Sequence, residues 1–482
     1  ALRARCCQSR VSRRCLVRAR TEEELNQAYL QGTKLGEGKF GEVFVVLHKK
    51  LGVARVRKTV PKVQFGVAED QMEGEVELLK SLDHPHIVRI FELFETKDAV
   101  HLIMDHAEGG DLAGAIAAVG RLDKTLPEKW ARAVALQVTS ALEYTHGRGV
   151  IHCDLKPANV MLLQQFNPAG VEDRPHILLA DFGLAEIFQE KREGRPVEVK
   201  GTPNYLAPEA FEGWLTEKSD MWALGIMLFE MLTGRKPFRS AGANIFALWA
   251  QISRVEPQLS DLPPLAQLVV GSLLAKSPDA RPTARETRAQ DWFCRGEMQD
   301  DATTAPMQPT SLGSTTYLHR AAMLVIAAGL SVKDTRSVCE LFKAIDVDGS
   351  GSLTRGELER AAEVLQEWQP QASSLMALLD LDGDDSVSYT EFLAGVLEAG
   401  NEITDRHVDY AFEMFDLDAD GFISMDELRL MVSGDGPLVD ILPDGQTVEQ
   451  VMWEVSDGQG QISFSAFKDY MSRAAQSARQ QP

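Results

Sequence analysis

The sequence predicts an α+β chain of more than one domain, a mixed part followed by a separate acidic, all-α module. Three observations carry that reading. The 482 residues are 44% apolar, enough for two to four packed cores. Charge is unevenly placed: from Asp334 to the end there are 30 acids and 9 bases, whereas the first 333 residues carry 41 of each. Within the acidic part, a 12-residue pattern of Asp, Ser and a closing Glu occurs three times, at spacings of 34 and 36 residues. A net charge of −21 placed in this way implies a separate cation-binding module and no nucleic-acid partner. The longest apolar run, Ala321–Leu330, is about half the length that a membrane-spanning helix requires. The cysteines at 6, 7, 15, 153, 294 and 339 have neither metal spacing nor a dense framework, which fits a reducing, cytoplasmic compartment.

Residues 1–28 form a basic N-terminal arm, in which the first 20 residues hold seven Arg and no acid, with Cys6, Cys7 and Cys15 among them. A chain that opens on Ala1 is expected to start beyond its translated methionine. Two readings of the arm stand side by side. One is a disordered or cleaved segment. The other is a basic, palmitoylated anchor that brings the chain into peripheral contact with an anionic membrane.

From residue 29 the mixed domain begins. Leu35-Gly36-Glu37-Gly38-Lys39-Phe40-Gly41-Glu42-Val43 is a G-x-G-x-x-G segment, which alone also suits a dinucleotide fold. That fold places a helix next. Here Val43–Val46 continues as a strand, so a glycine-rich hairpin fits better. Lys58 follows at the end of a second apolar strand. Arg55 and Arg57 are basic alternatives, but alternation from Val56 favours Lys58. Glu75 opens a helix with apolar spacing at Val76, Leu79 and Leu82. Val100–Asp105 is a buried strand, and Asp111 follows Gly109 and Gly110. Ile151–Asn159 then sets Asp154, Lys156 and Asn159 in one loop. Leu178-Leu179-Ala180 is read as a strand running into Asp181-Phe182-Gly183, and Gln164–Pro175 as a surface insertion. Gly201–Glu209, Asp220 and Arg281 complete the series, and Trp292 closes the domain at 293.

Phosphoryl transfer needs a carboxylate that orients and deprotonates a hydroxyl, and oxygen ligands for Mg²⁺ nearby. The collinear set over roughly residues 30–293 resembles the protein kinases. The resemblance implies the bilobal protein-kinase fold and assigns roles. Asp154 is the base, with Lys156 beside it, while Asn159 and Asp181 hold Mg²⁺. Lys58 holds the ATP α- and β-phosphates and pairs with Glu75. Leu35, Gly36, Gly38, Gly41 and Val43 border the nucleotide. Met104 is the gatekeeper behind the adenine, Asp105 to Ala107 hydrogen-bond to it, and Asp111 meets the ribose or a basic substrate residue. Lys156 and Thr202 imply Ser/Thr protein substrates. Two positions depart from the family pattern. Cys153 replaces the Arg that clamps a phosphorylated activation loop, and Ala158 replaces a Glu that reads substrate arginine.

Residues 294–333 form the junction, a Thr-, Pro- and Ser-rich linker and then an apolar-striped helix over Tyr317–Leu330. Residues 334–475 form the acidic module. Its loops offer oxygens from Asp346, Asp348, Ser350, Ser352 and Glu357; from Asp380, Asp382, Asp384, Ser386 and Glu391; and from Asp416, Asp418, Asp420, Phe422 and Glu427. A seven-coordinate Ca²⁺ requires such a set, closed by a bidentate Glu, so these are EF-hands. Asp385 stands where the sharp turn usually has Gly, which predicts a weaker second site. A fourth hand is expected as a pairing partner, but its loop Ser456–Ala466 is a residue short and ends on Ala466, so it binds no calcium.

Kinase, junction helix and calmodulin-like module in one chain resemble the calcium-dependent protein kinases, over about residues 30–475. The resemblance implies ATP, Mg²⁺ and Ca²⁺ as cofactors, a monomer, and an intramolecular junction helix that blocks the cleft until Ca²⁺-loaded EF-hands capture it. Two rivals remain at this point, a constitutive kinase with structural EF-hands and a calcium-responsive scaffold without turnover. Residues 476–482 read as a tail.

Overall fold

A computed structural model describes residues 21–38, 41–62, 79–168, 175–182, 202–238, 245–294, 317–365, 375–376, 379–381, 383–400, 403–432, 447–456 and 459–480. The first 20 residues of the arm, Glu75, Gly183 and Asp382 lie outside them, as do most of the linker before Tyr317 and residues 169–174 of the expected insertion. The chain divides into two compact units. One comprises Ala1–His84, Arg89–His106 and Thr303–Pro482, and the other Pro85–Val88 and Ala107–Ala302.

The first unit opens with a short helix, Glu22–Ala28, started by a capping box in which Thr21 and Glu24 satisfy each other's backbone N–H groups. Five antiparallel strands follow: β1 (Tyr29–Gly38), β2 (Gly41–His48), β3 (Ala54–Pro61), β4 (Ile90–Glu95) and β5 (Ala99–Asp105). Their order in the sheet is β1-β2-β3-β5-β4. Leu25, Tyr29, Val46, Phe94 and Ile103 form a small core on one face of the sheet.

In the same unit, the junction helix Tyr317–Gly329 stops one residue before the expected Leu330. It packs against helices Tyr389–Gly400 and Asp405–Phe415. Leu318, Ala321, Ala322, Met323 and Ala327 are completely buried in a core shared with Phe342, Phe392, Phe412, Phe415 and Phe467. The acidic loops pair through short antiparallel ladders. β8 (Ser352–Thr354) pairs with β9 (Ser386–Ser388), and β10 (Phe422–Ser424) with β11 (Gln461–Ser463). The fourth loop therefore completes the ladder of the third.

The second unit is mainly helical. Helix Glu128–Gly147 buries Trp130, Val134, Val138 and Leu142, and helix Glu217–Thr233 is buried almost all round. A two-stranded ribbon joins β6 (Val160–Leu162) to β7 (Ile177–Leu179). The expected strand Leu178–Ala180 is thus displaced by one residue. Ala180 follows the ladder's last pair, and its N–H still donates to the Asn159 carbonyl at 2.8 Å, in the same register. Among the described residues, no helix is long and apolar enough to cross a membrane.

Candidate functional site

On the nucleotide side, Gly36 pairs with Val43, Glu37 with Glu42 and Gly38 with Gly41, so the glycine-rich segment is the tip of the β1–β2 hairpin. Gly41 sits at φ 114°, and a Cβ there would lie 1.8 Å from the Thr59 carbonyl oxygen. Only glycine fits. Leu35 is exposed on β1. Lys58 is inside β3 rather than at its end, paired with Val43 on one side and Leu102 on the other. Met104 pairs with Val56 and Ile90, and Asp105 ends β5 opposite Arg55. Arg55 and Arg57 alternate with Val56 and Lys58 along the strand, and Arg55 is buried with only 1% exposed. The predicted partner of Lys58, Glu75, lies outside the described residues.

In the second unit, Asp220 builds the catalytic loop. This buried carboxylate accepts from His152 N at 2.9 Å and Cys153 N at 3.0 Å, and it lies 2.8 Å from His146 Nε2. It thereby holds Cys153 at φ 64°, a left-handed conformation costly for a side chain with a Cβ. His152 Nε2 donates to the Ala180 carbonyl at 3.0 Å, tying the loop to the residue before Asp181. Burial pushes the His152 pKa down, against the opposing pull of Asp220, so the ring is neutral.

Asp154 is oriented from three directions. Its Oδ1 accepts from Thr202 N at 3.1 Å and Thr202 Oγ1 at 3.0 Å. Lys156 Nζ donates to its Oδ2, and also to Thr202 Oγ1 at 2.9 Å. Asn159 Nδ2 donates to the Asp154 carbonyl at 2.9 Å, which fixes the amide beside the carboxylate. Asp181 is exposed at φ 57°. With two hard oxygen donors, Asn159 and Asp181 fit Mg²⁺ chemically. Asp111 caps helix Leu112–Gly120 by accepting from Gly114 N at 2.7 Å, and Ala107 is buried nearby in sequence. Beneath the site, Arg281 makes a bidentate pair with Glu209 at 2.6 and 2.8 Å, with Ser219 Oγ donating to the same carboxylate at 2.9 Å. That pair anchors the end of the activation segment to helix Glu217–Thr233.

The EF-hand loops show which ligands are already gathered. In the first, oxygens of Asp346, Asp348 and Glu357 lie within 4.8 Å of one another. Glu357 is held there by N–H groups of Val347 at 3.0 Å and Thr354 at 2.9 Å. Burial raises the Asp346 carboxyl to about 7, Glu357 and Asp348 add to the rise, and the Gly351 N–H works against it. Ser350 and Ser352 complete the turn, with Ser350 Oγ donating to the Ser352 carbonyl at 2.9 Å.

In the third loop Asp416, Asp418 and Asp420 gather within 4.8 Å. Glu427 accepts from Leu417 N and Ser424 N, each at 2.7 Å, while Phe422 N donates to Asp420 Oδ1 at 2.8 Å. In the second, Asp380 accepts from Gly383 N at 2.7 Å, Ser386 N donates to Asp384 at 2.8 Å, and Glu391 accepts from Leu381 N at 2.9 Å. Asp385 takes the turn at φ 65°. All three donor sets are hard oxygens suited to Ca²⁺. The residues that sequence reasoning missed are Arg55, treated only as a rival to Lys58, and Arg89, which was not singled out. Both contact the end of the junction helix.

Three family models match the chain. Residues 29–293 match a protein kinase domain, 335–397 an EF-hand domain pair and 408–432 an EF hand. Calcium-dependent protein kinase 9 of Oryza sativa subsp. japonica is 30% identical over 465 residues, covering 91% of this chain and 76% of the relative. Calcium-dependent protein kinase 7 of Arabidopsis thaliana is 28% identical over 464 residues, covering 93% and 83%. Calcium-dependent protein kinase 34 of the same plant is 28% identical over 468 residues, covering 94% and 85%.

Proposed function

Because the chain belongs to the calcium-dependent protein kinases, we propose that it phosphorylates protein Ser/Thr residues under the control of its own EF-hands, which relieve a block imposed by the junction helix. The observation that carries this reading is the junction helix itself. Its apolar residues Leu318, Ala321 and Ala322 are fully buried against EF-hand helices, as expected of a captured target.

Bound Mg²⁺-ATP supplies the phosphoryl group and neutralises its charge. The protein's own residues do the rest. Asp154, fixed by Thr202, Lys156 and Asn159, orients the substrate hydroxyl and accepts its proton. Lys156 balances the charge on Asp154 and, through Thr202, ties the base to the end of the activation segment. Asn159 and Asp181 would hold Mg²⁺, and Lys58 and the β1–β2 hairpin would hold the phosphates. Met104, Asp105, Ala107 and Asp111 bind the nucleoside.

Gating rests on charge. In a calcium-free loop, Asp346, Asp348 and Glu357 repel one another at close range, as do Asp416, Asp418 and Asp420. Neutralising them favours the open helix pairs that accept an apolar helix. Sensor and target share one chain, so their effective concentration is high and no separate calmodulin is needed. Phosphate transfer to a Ser/Thr peptide, measured in excess EGTA and in saturating Ca²⁺, tests this. A rise of about tenfold or more, the lower range of allosteric coupling energies, is expected. Equal turnover in both conditions contradicts it.

A further inference from the structure

We propose that the nucleotide lobe carries a receptor for the C-terminal end of the junction helix, built from Arg55 and Arg89, and that its occupancy tightens ATP binding through Asp105. The inference rests on the family reading and adds a site to it. A helix ends with backbone carbonyls that have no partner inside the helix, and cations stabilise that end. Here two buried guanidinium groups supply the donors. Arg55 Nη2 donates to the Gly329 carbonyl at 2.7 Å, and Arg89 Nη2 to the Leu330 carbonyl at 2.6 Å. Both lie over the Phe91 ring, at 3.7 and 5.2 Å from its centroid.

The occupant is this chain's own segment, and its shape is specified. A Cβ on Gly329 would lie 2.4 Å from Tyr410 Cε1, so a larger residue seats only if the buried Tyr410 ring moves aside. Around the contact, Leu51 joins the junction and EF-hand core, His48 packs edge-on to Tyr410 at 5.7 Å, and Lys50 pairs with Glu413. A second contact has the opposite sign. Asp83 Oδ2 accepts from Thr390 N at 2.9 Å, in the first turn of helix Tyr389–Gly400. An anion at a helix N-terminus complements the cations at the other helix's end. Thr390 directly precedes Glu391, the closing ligand expected for the second loop, so this contact lies next to that loop.

Arg89 links the receptor to the nucleotide. Its N, Nε and Nη2 all donate to the Asp105 carboxylate at 3.0 Å, and Asp105 N donates back to the Arg89 carbonyl at 3.1 Å. Arg89 Nη2 thus spans Asp105 and Leu330. When the helix end leaves, Arg89 Nη2 keeps Asp105 but one of its N–H groups loses its acceptor, and the Arg89–Asp105 pair at the end of β5 must readjust to re-solvate it. Arg89 is therefore a positioning residue, and calcium, by seating the junction, tightens nucleotide binding.

Linkage makes the test reciprocal. Isothermal titration of the full chain with a non-hydrolysable ATP analogue, in EGTA and in saturating Ca²⁺, gives one coupling factor. Calcium titration with and without the analogue gives the other. The wild type is expected to show the same factor both ways, about fivefold or more, the lower range of allosteric coupling. In Arg55→Met and, separately, Gly329→Val, the factor is expected to fall below about twofold while calcium still binds. No coupling in the wild type, or undiminished coupling in whichever variants fold, overturns the proposal. Peptide phosphorylation at saturating ATP separates the two readings: calcium activation without nucleotide coupling defeats this inference alone, whereas loss of both defeats the gating as well.

Discussion

Asp220 is buried in helix Glu217–Thr233, yet it governs the geometry of the catalytic loop through the His152 and Cys153 amides. Asp220→Ala leaves two buried N–H groups without their acceptor, at roughly 1–3 kcal/mol each. Turnover is expected to fall together with thermal stability. Asp154→Ala separates the two properties. Loss of the base should reduce kcat by about 10²–10⁴-fold, with a smaller fall in melting temperature than in Asp220→Ala, because the donors left behind, on Thr202 and Lys156, are only part-buried and can turn to water. That Asp154, Lys156 and Asn159 meet in one loop was legible from their spacing. Arg55 was not legible. Its acceptor lies 274 residues away, so nothing local distinguishes it from an alternative to Lys58.

Each EF-hand loop has a consequence of its own. Asp385 occupies a left-handed position where glycine carries no steric penalty. Asp385→Gly should relieve about 1 kcal/mol, or about fivefold in affinity at the second site, read as a lower calcium midpoint for that loop alone. The junction helix was visible from its apolar stripe. Its titration behaviour was not, because that depends on what covers it. Burial lowers the His319 pKa to about 4 from an ordinary 6.5, with Arg320 adding to the effect. The folded chain therefore holds His319 neutral, while the unfolded chain takes up a proton below 6.5. The contribution is fully present above pH 6.5 and is lost as the pH falls toward 4. Calcium-loaded protein should lose on the order of 1–3 kcal/mol across that window, and His319→Gln should flatten the loss. The one-residue difference at β7 reflects where pairing with β6 begins and ends, which apolar patterning does not encode.

At the scale of the molecule, the division into a neutral catalytic part and an acidic sensor was readable from charge placement and from the recurring loops. The association of the sensor with the nucleotide lobe in one compact unit was not. It depends on single side chains, Asp83, Arg55 and Arg89, meeting helix ends from distant segments. In the other unit, the buried Arg281–Glu209 pair links the activation segment to the helical core. Arg281→Met removes one partner of a buried pair and should destabilise that unit by about 3–5 kcal/mol, seen as a lower unfolding midpoint in urea. The central claim is that this kinase is switched by its own EF-hands. Its most direct test overlays two curves on one sample across buffered free Ca²⁺, peptide phosphorylation and EF-hand filling followed by isotopic calcium binding. The two curves are expected to rise together and to move together to higher calcium in Glu357→Gln and Glu427→Gln. Turnover that stays flat, or holds its midpoint while the binding curve shifts, would contradict the claim.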